Sequence, residues 1–561
     1  MLAVLCIAGG CLWMLHADAW NLGQRSAVLN YDTAQYALAA REMADRGRIQ
    51  TTFALPIELA RHAQPPWPLA VVQPGLLALE AAIFRLAPER LTIGGRTLAE
   101  WQRPDQREWL LLPIPFTCFI LIGAMLGLAA LKLLQLHAPE AGHRAAALAG
   151  GLVGLAFLLD PEAQHFSVAP FTEMPFTLGL VGALAMVALG LAGRRPFVFG
   201  LVLGLTGAFR ANMLWLAPLF VAAAAWSAPS GRRLRVAALA ALGFVLPLAP
   251  WWLYKWRAFG DPGWDLTRLV VWDGVEGRTW FSLYHLPETP SVPRGLEAVG
   301  LLAAKTARNL PGLVLAALTG PRALWIGALA LWCLVARPPR PLLAAALVVL
   351  GALALSLVTA AVSIPWLRYV FPARAAAEAA GVLATLALVR RLPALGGGAA
   401  AVRAVTAAVA VLALAWGGLL TVRGNDEARR AALERGVPGP LTLLQLGVLM
   451  NREIPAGEPV MSNLGPTLAW HARRPVVHLA LTPGDVESCR RHLDVRHVLL
   501  VFRDASKAWP GWEEVVADPE RARRDPELNI RAVRTGRSAD GFSIVWLELG
   551  DLGPRLAATA R

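Results

Sequence analysis

Charge is scarce in this chain. Asp, Glu, Lys and Arg make up only 16% of its 561 residues, against about a quarter in an average soluble domain. A soluble protein of this length would need a larger charged surface, so an ordinary cytosolic enzyme is excluded. Lysine occurs only at Lys132, Lys255, Lys305 and Lys507. The five cysteines, Cys6, Cys11, Cys118, Cys333 and Cys489, include no C-x-x-C pair, which argues against structural zinc, and only Cys489 lies in the C-terminal tail, where no disulfide framework can form. There is no internal repeat, no low-complexity tract, and no Walker or G-x-G-x-x-G signature, so nothing in the chain supports ATP-driven chemistry. What is present is apolar: 56% of residues, with a mean hydropathy of +0.49. That composition describes a polytopic α-helical membrane protein.

The net charge of +14 could indicate a nucleic-acid binder, but its placement argues otherwise. Basic clusters punctuate the apolar runs at His143-Arg144, Arg194-Arg195, Arg232-Arg233-Leu234-Arg235, Arg337 to Arg340 and Arg390-Arg391. Cytoplasmic loops look like this under the positive-inside rule. Apolar runs able to span occur at 1–16, 110–135, 145–160, 172–193, 234–254, 311–335, 341–362, 370–390 and 399–421. The stretch 197–227 is interrupted by Arg210 and Asn212 and reads as two short passes, 197–209 and 211–227. About eleven passes result, with the N-terminus in the cytoplasm and the C-terminus outside. The first run ends near Ala17-Asp18-Ala19, which resembles a signal-peptidase site. No basic segment precedes it, and a retained first helix is the favoured reading.

Two outward loops are long, 17–109 and 255–310. The first carries an amphipathic run around Tyr36, Ala39, Ala40 and Met43, and a second apolar-faced helix at Pro74–Ala87. Helices of this kind lie in the membrane interface. From Gly424 the composition changes. Short strands are expected at 460–462, 476–479, 498–502 and 542–547, and helices at 466–472 and 483–493, the latter capped by Thr482. The organisation expected is a transmembrane domain, 1–423, and a small outer α/β domain, 424–561.

Few acids lie near the membrane. Asp32 follows the first helix and precedes the amphipathic one; it is a natural N-cap and equally a candidate base. Glu173, in Thr172-Glu173-Met174-Pro175, sits at the outer end of a pass, where acids also favour a helix start. Asp160 and Glu162 lie just upstream and could join it. Arg210, Lys255, Arg257 and Arg368 are all expected on the outer face, against the positive-inside trend. They could snorkel from helix ends or meet an anionic headgroup. Carboxylates and arginines at one face suit phosphate-linked lipid chemistry, and they leave a lipid or ion transporter open.

Several short motifs occur in a shared order: Tyr31-Asp32-Thr33-Ala34-Gln35-Tyr36, Pro65-Pro66, Gln73-Pro74-Gly75, Thr172-Glu173-Met174-Pro175, Pro250-Trp251-Trp252, Phe259-Gly260-Asp261-Pro262 and Arg368-Tyr369-Val370-Phe371-Pro372. Over most of 1–421 this resembles the GT-C superfamily of integral-membrane glycosyltransferases, nearest the bacterial protein O-mannosyltransferase and aminoarabinose-transferase type. The resemblance implies a bacterial inner-membrane enzyme of the cell envelope. It would move a hexose or pentose, with inversion, from a polyprenyl-phosphate-linked donor to a lipid, glycan or protein acceptor on the periplasmic side, with no nucleic acid involved. It implies Asp32 and Glu173 as the catalytic acids and Arg368, Arg210, Lys255 and Arg257 as donor-phosphate ligands. Tyr36 and Tyr369 would support them. The family often carries two adjacent acids where this chain has Asp32-Thr33. A lone aspartate is a poor divalent-cation site, so no metal ligand is assigned and no cofactor is expected with certainty. The competing reading is a transporter or flippase of lipid-linked glycans; a further one is an assembly subunit whose tail is the working part.

Overall fold

The computed structural model describes residues 1–23, 26–87, 92–93, 96–97, 106–139, 142–336, 338–390, 398–434, 436–524 and 528–551. Arg337 and Arg391 of the basic clusters lie outside them. Among the described residues, six helices are long and apolar enough to cross a bilayer: Leu2–Ala19, Arg107–His137, Ser230–Phe259, Arg340–Val362, Phe371–Val389 and Ala400–Leu433. Two bent pairs pass the same test together, Gly142–Leu158 with Pro161–Ser167 (66°) and Gly295–Ala317 with Pro321–Val335 (97°). That makes six to eight candidate spans; three shorter apolar helices, Glu173–Ala188, Pro196–Phe209 and Met213–Ser227, lie at the expected passes 172–193, 197–209 and 211–227. The protein is a polytopic α-helical membrane protein with a small mixed α/β region near its C-terminus.

The expected pass 311–335 is not one straight helix. Gly320, at φ +61°, and Pro321 at the next helix start break it, because the one adopts a left-handed φ and the other lacks the N–H that would continue the ladder. The helix before the break begins at Gly295, inside what reads as an outer loop. The other break is built by Asp160, whose carboxylate accepts from the backbone N–H groups of Glu162 (2.9 Å) and Ala163 (3.1 Å). Elsewhere the helices close on small residues. A Cβ at Gly200 would lie 2.0 Å from the Ala240 carbonyl oxygen, so Pro196–Phe209 and Arg233–Phe259 pack backbone to backbone, as apolar helices do where packing rather than hydrophobicity drives association.

Within the stretch 17–109, the Tyr31–Arg46 helix starts at a capping box in which Asn30 and Thr33 bond reciprocally (2.8 and 3.1 Å). Asp32 is therefore not the cap. The Pro74–Leu86 helix packs alongside, and its Gly75 meets the Ala208 backbone so closely that a Cβ would lie 2.8 Å away.

The C-terminal segment forms a sheet in the order Phe53–Ala54, Val476–His478, Val460–Ser462, His497–Phe502, Ser543–Leu549, Ile530–Arg537. The first four run parallel (Phe53↔Val476, Val460↔Val476, Val460↔His497) and the last two antiparallel (Ser543↔Phe502, Ser543↔Arg537). Strands and helices fall near their expected places. The 530–537 strand was not expected, and the first strand comes from the outer loop, some four hundred residues upstream. The Ala399–Leu433 helix also runs past residue 424 without interruption.

Loop and tail are interlocked further. The buried Arg41 guanidinium donates to the carbonyls of Trp470 (3.1 Å) and Ala469 (3.4 Å) and lies over the Trp470 ring. Phe84 stacks on the same indole. Arg41→Ala removes two charge-assisted bonds to buried carbonyls and leaves a cavity, at a cost of about 2–4 kcal/mol. The expected outcome is a lower unfolding midpoint in detergent and faster protease nicking between residues 440 and 550; unchanged nicking would show that the tail docks without this contact.

Candidate active site

Four separate stretches of chain meet at one point. Glu173 is the first residue of its helix and is wholly buried. Its Oε1 accepts from Arg210 Nη1 (2.6 Å) and from Arg368 Nη2 (2.9 Å) and Nε (3.0 Å). Arg210 is the extended residue between two short helices, and it also donates to the Thr172 hydroxyl (3.2 Å). Arg368 lies on the single turn Leu367–Tyr369 that precedes Pro372, and its Nη1 donates to Asp32 Oδ2 (2.8 Å). The result is a chain of alternating charge, Asp32–Arg368–Glu173–Arg210.

Exposure sorts the four. The Glu173 side chain is 0% exposed, Arg210 10%, Arg368 26% and Asp32 47%. Asp32 and Arg368 thus form the accessible end, and Glu173 with Arg210 the sealed one. Because Asn30 takes the helix cap, the Asp32 carboxylate is left to face Arg368. Burial works against the charge on Arg368, and the carboxylates of Glu173 and Asp32 more than offset it, so its pKa stands above the usual arginine value. Tyr369 lies under both arginines (5.5 and 5.7 Å from its ring centre) and stacks on Trp366. Phe171 backs Arg368 from 5.4 Å. These rings lower the local polarity and hold the guanidinium planes.

The other expected residues are placed differently. Lys255 is buried against Asp265 (3.2 Å) and over Trp251. Asp265 also accepts from the Gln73 amide (3.2 Å), and the Gln73 backbone N–H donates to the Tyr36 hydroxyl (3.4 Å). Lys255 and Tyr36 therefore belong to a neighbouring polar relay. Burial raises the Tyr36 phenol above its ordinary pKa, which keeps it protonated. Arg257 is exposed and has no ion pair among the described residues. Asp160 and Glu162 do not join Glu173. They pair with Arg374 (3.0 and 3.4 Å), while Arg322 bridges Asp160 (3.3 Å) and Glu378 (3.1 Å), and Arg374 also meets Glu378. Sequence reading missed this second network. Its signal was Arg374 and Glu378, four residues apart on one face of an otherwise apolar helix.

A cation-binding role does not fit the Asp32 cluster. Two guanidiniums already neutralise its two carboxylates and would repel a divalent ion. Among the described residues no group of three or more His, Cys, Asp or Glu gathers elsewhere to hold one.

The whole arrangement can now be set beside known structures. ArnT from Cupriavidus metallidurans superposes over 97% of both chains, with a TM-score of 0.53 and 14% identity in the apo state, and 0.52 and 13% when bound to undecaprenyl phosphate. The chain shares the fold of ArnT. The arabinofuranosyltransferase AftD from mycobacteria aligns over 98% of this chain and 40% of its own, at 14% identity and a TM-score of 0.40, too loose a match to weigh. No family model and no curated protein matches the chain.

The electrostatics make a distinguishing prediction. Glu173→Gln removes the carboxylate between Arg210 and Arg368, leaving the buried Arg210 without an ion pair, and costs about 3–5 kcal/mol. Asp32→Asn, at the exposed end, costs about 1 kcal/mol or less. Thermal unfolding in detergent should show a large drop for the first and a small one for the second; equal drops would mean that Glu173 is not the centre of the cluster.

Proposed function

We propose that this protein is a membrane glycosyltransferase that moves a sugar from a polyprenyl-phosphate-linked donor to an acceptor on the outer face of the membrane. The observation that carries the reading is the Asp32–Arg368 pair: an accessible carboxylate bonded to a guanidinium whose other edge is anchored on a buried acid. The fold shared with ArnT, one structure of which holds undecaprenyl phosphate, supports the lipid-phosphate donor. The orientation proposed, with the cluster and the tail on the periplasmic side, rests on the inward placement of the basic loops.

The chemistry follows from the geometry. Arg368 has an accessible edge and a fixed one. A donor phosphate binding at the accessible edge competes with Asp32 for the guanidinium. Asp32 is then free to accept a proton from the acceptor hydroxyl or amine. As that proton leaves, the acceptor atom bonds to the anomeric carbon on the face opposite the phosphate. The carbon–oxygen bond to phosphate breaks, its electron pair departs with the lipid phosphate, and Arg368 stabilises the charge that develops. Inversion at the anomeric carbon is the consequence. Glu173, sealed from solvent, acts as a positioning residue for Arg368 and Arg210 rather than as a base. A flippase would need polar groups along a path through the bilayer. The second charged network, Asp160 with Arg374, is instead closed on itself, with Arg374 1% and Asp160 5% exposed.

The test is transfer from a polyprenyl-phosphate sugar by membranes holding the Asp32→Asn protein. The donor sugar is chosen by mass spectrometry of envelope lipids and glycans from a deletion strain and its parent. Transfer is expected to fall about 10²–10⁴-fold, the usual span for removing a general base, while the protein stays folded. Full transfer by folded Asp32→Asn would overturn the assignment.

A further inference from the structure

A second concavity lies apart from the reacting cluster. It is a cavity of about 480 Å³ between the first outer loop and the turn that follows the Arg233–Phe259 helix, a volume in the range of small-ligand pockets. The Phe259-Gly260-Asp261-Pro262 motif builds one wall. Gly260 adopts φ +71° and ends the helix, Asp261 accepts from the Gly263 backbone N–H (2.8 Å), and the chain folds back so that Trp264 stacks on Phe259 (5.8 Å). Asp265, the next residue, is the partner of Lys255 and Gln73. The pocket and the Tyr36 relay therefore share a wall.

The polar groups lining this cavity are mostly donors. Arg61 and Arg268 both lie over the Trp264 indole, at 3.9 and 4.2 Å from its centre. Among the described residues neither has an ion-pair partner. Stacking on an indole fixes the plane of a guanidinium and leaves its edge N–H groups free. Trp67 is 1% exposed and lines the cavity, and its indole N–H has no hydrogen-bond partner. His62 Nε2 is likewise buried and unpartnered. A buried donor without a partner is costly, and a ligand would satisfy it. Glu58 is the one acid in the lining. Its Oε2 accepts from the Leu55 backbone N–H (2.8 Å), and burial raises the carboxyl to about 7, so below neutral pH it is mainly an uncharged donor.

We propose that this cavity binds an anionic saccharide, a sugar ring carrying a phosphate or carboxylate, with Arg61 and Arg268 on the anion and Trp67 and His62 on the ring hydroxyls. Two guanidiniums without ion-pair partners select against cations and favour an anion. Phe259, which also lines the cavity, supplies an apolar patch for the carbon face of a ring. The binding stands without the transferase reading; only the assignment of this saccharide as a second contact for the acceptor rests on it.

The experiment is titration of the full-length protein in detergent with glucose 1-phosphate, glucuronate and uncharged glucose, followed by saturation-transfer NMR. Both anionic probes are expected to bind, with glucose weaker by about tenfold or more, the loss of one charge-assisted contact being worth about that much. The Arg61→Ala/Arg268→Ala protein should lose about tenfold or more. Both side chains are exposed, so its melting curve should match the parent's. Thr289→Asp, at the exposed rim, adds a repelling charge without deleting a contact and should weaken both anions and spare glucose. Equal binding of glucose, or no loss in the double variant, would overturn the proposal. So would anion binding that survives the double substitution and vanishes in Arg368→Ala, since that would place the anion in the reacting cluster. Transfer activity enters none of these readouts, so failure of the glycosyltransferase reading would leave the binding result standing.

Discussion

Glu173 is a carboxylate without exposed surface in the apolar part of the molecule, and the cost of burying it dictates what surrounds it. Two guanidiniums neutralise it, and each comes from a break in the helical framework: Arg210 from the kink between two short helices, Arg368 from the single turn before Phe371–Val389. Removing either arginine leaves the buried carboxylate with a single guanidinium partner in a region that hydrates it poorly. The order of the site is thus fixed from the inside outward, and the accessible members, Asp32 and the outer edge of Arg368, inherit their positions from the sealed ones.

A similar logic operates one layer down. Asp160 caps the helix Pro161–Ser167 and binds Arg374 and Arg322, and Glu378 closes the ring. Arg322 stands directly after the break at Gly320. Broken helices expose backbone groups that must be satisfied where water is absent. In both places the chain uses ion-paired side chains to stabilise an interruption that positions something useful. The two networks are separated by the Phe166, Phe171 and Phe371 rings, which pack together with centroids 5.1–5.7 Å apart.

How much of this could be read from residues alone depends on the range of each signal. The passes are legible because an apolar run of some twenty residues carries its own signature. The convergence of Asp32, Glu173, Arg210 and Arg368 was legible as a set of charges sharing one face, made specific by the order of motifs. Local competition was harder. Asp32 looks like a helix cap, but Asn30, two residues earlier, takes that place through its box with Thr33. Lys255 and Arg257 share a helix end, yet only Lys255 faces the protein, and it finds Asp265 rather than the cluster. The strand Phe53–Ala54 is two residues long and has no alternation to read. Its partner is remote in sequence, so no local pattern could reveal it. Arg374 and Glu378 were visible but looked like interruptions of a span until their partners from two other helices were in place.

That short strand ties the timing of maturation to the end of synthesis. The Tyr31–Arg46 helix, which carries Asp32, is made early, but the sheet edge that steadies its neighbourhood cannot form until Val476–His478 has been translated and folded against Val460–Ser462. Arg41 waits for Trp470 in the same way. Long-range contacts of this kind are slow to close, and here they involve the helix that carries Asp32 and the loop that follows it. The first strand of the tail's sheet thus makes the 17–109 loop part of a layer whose other strands are the last to be synthesised.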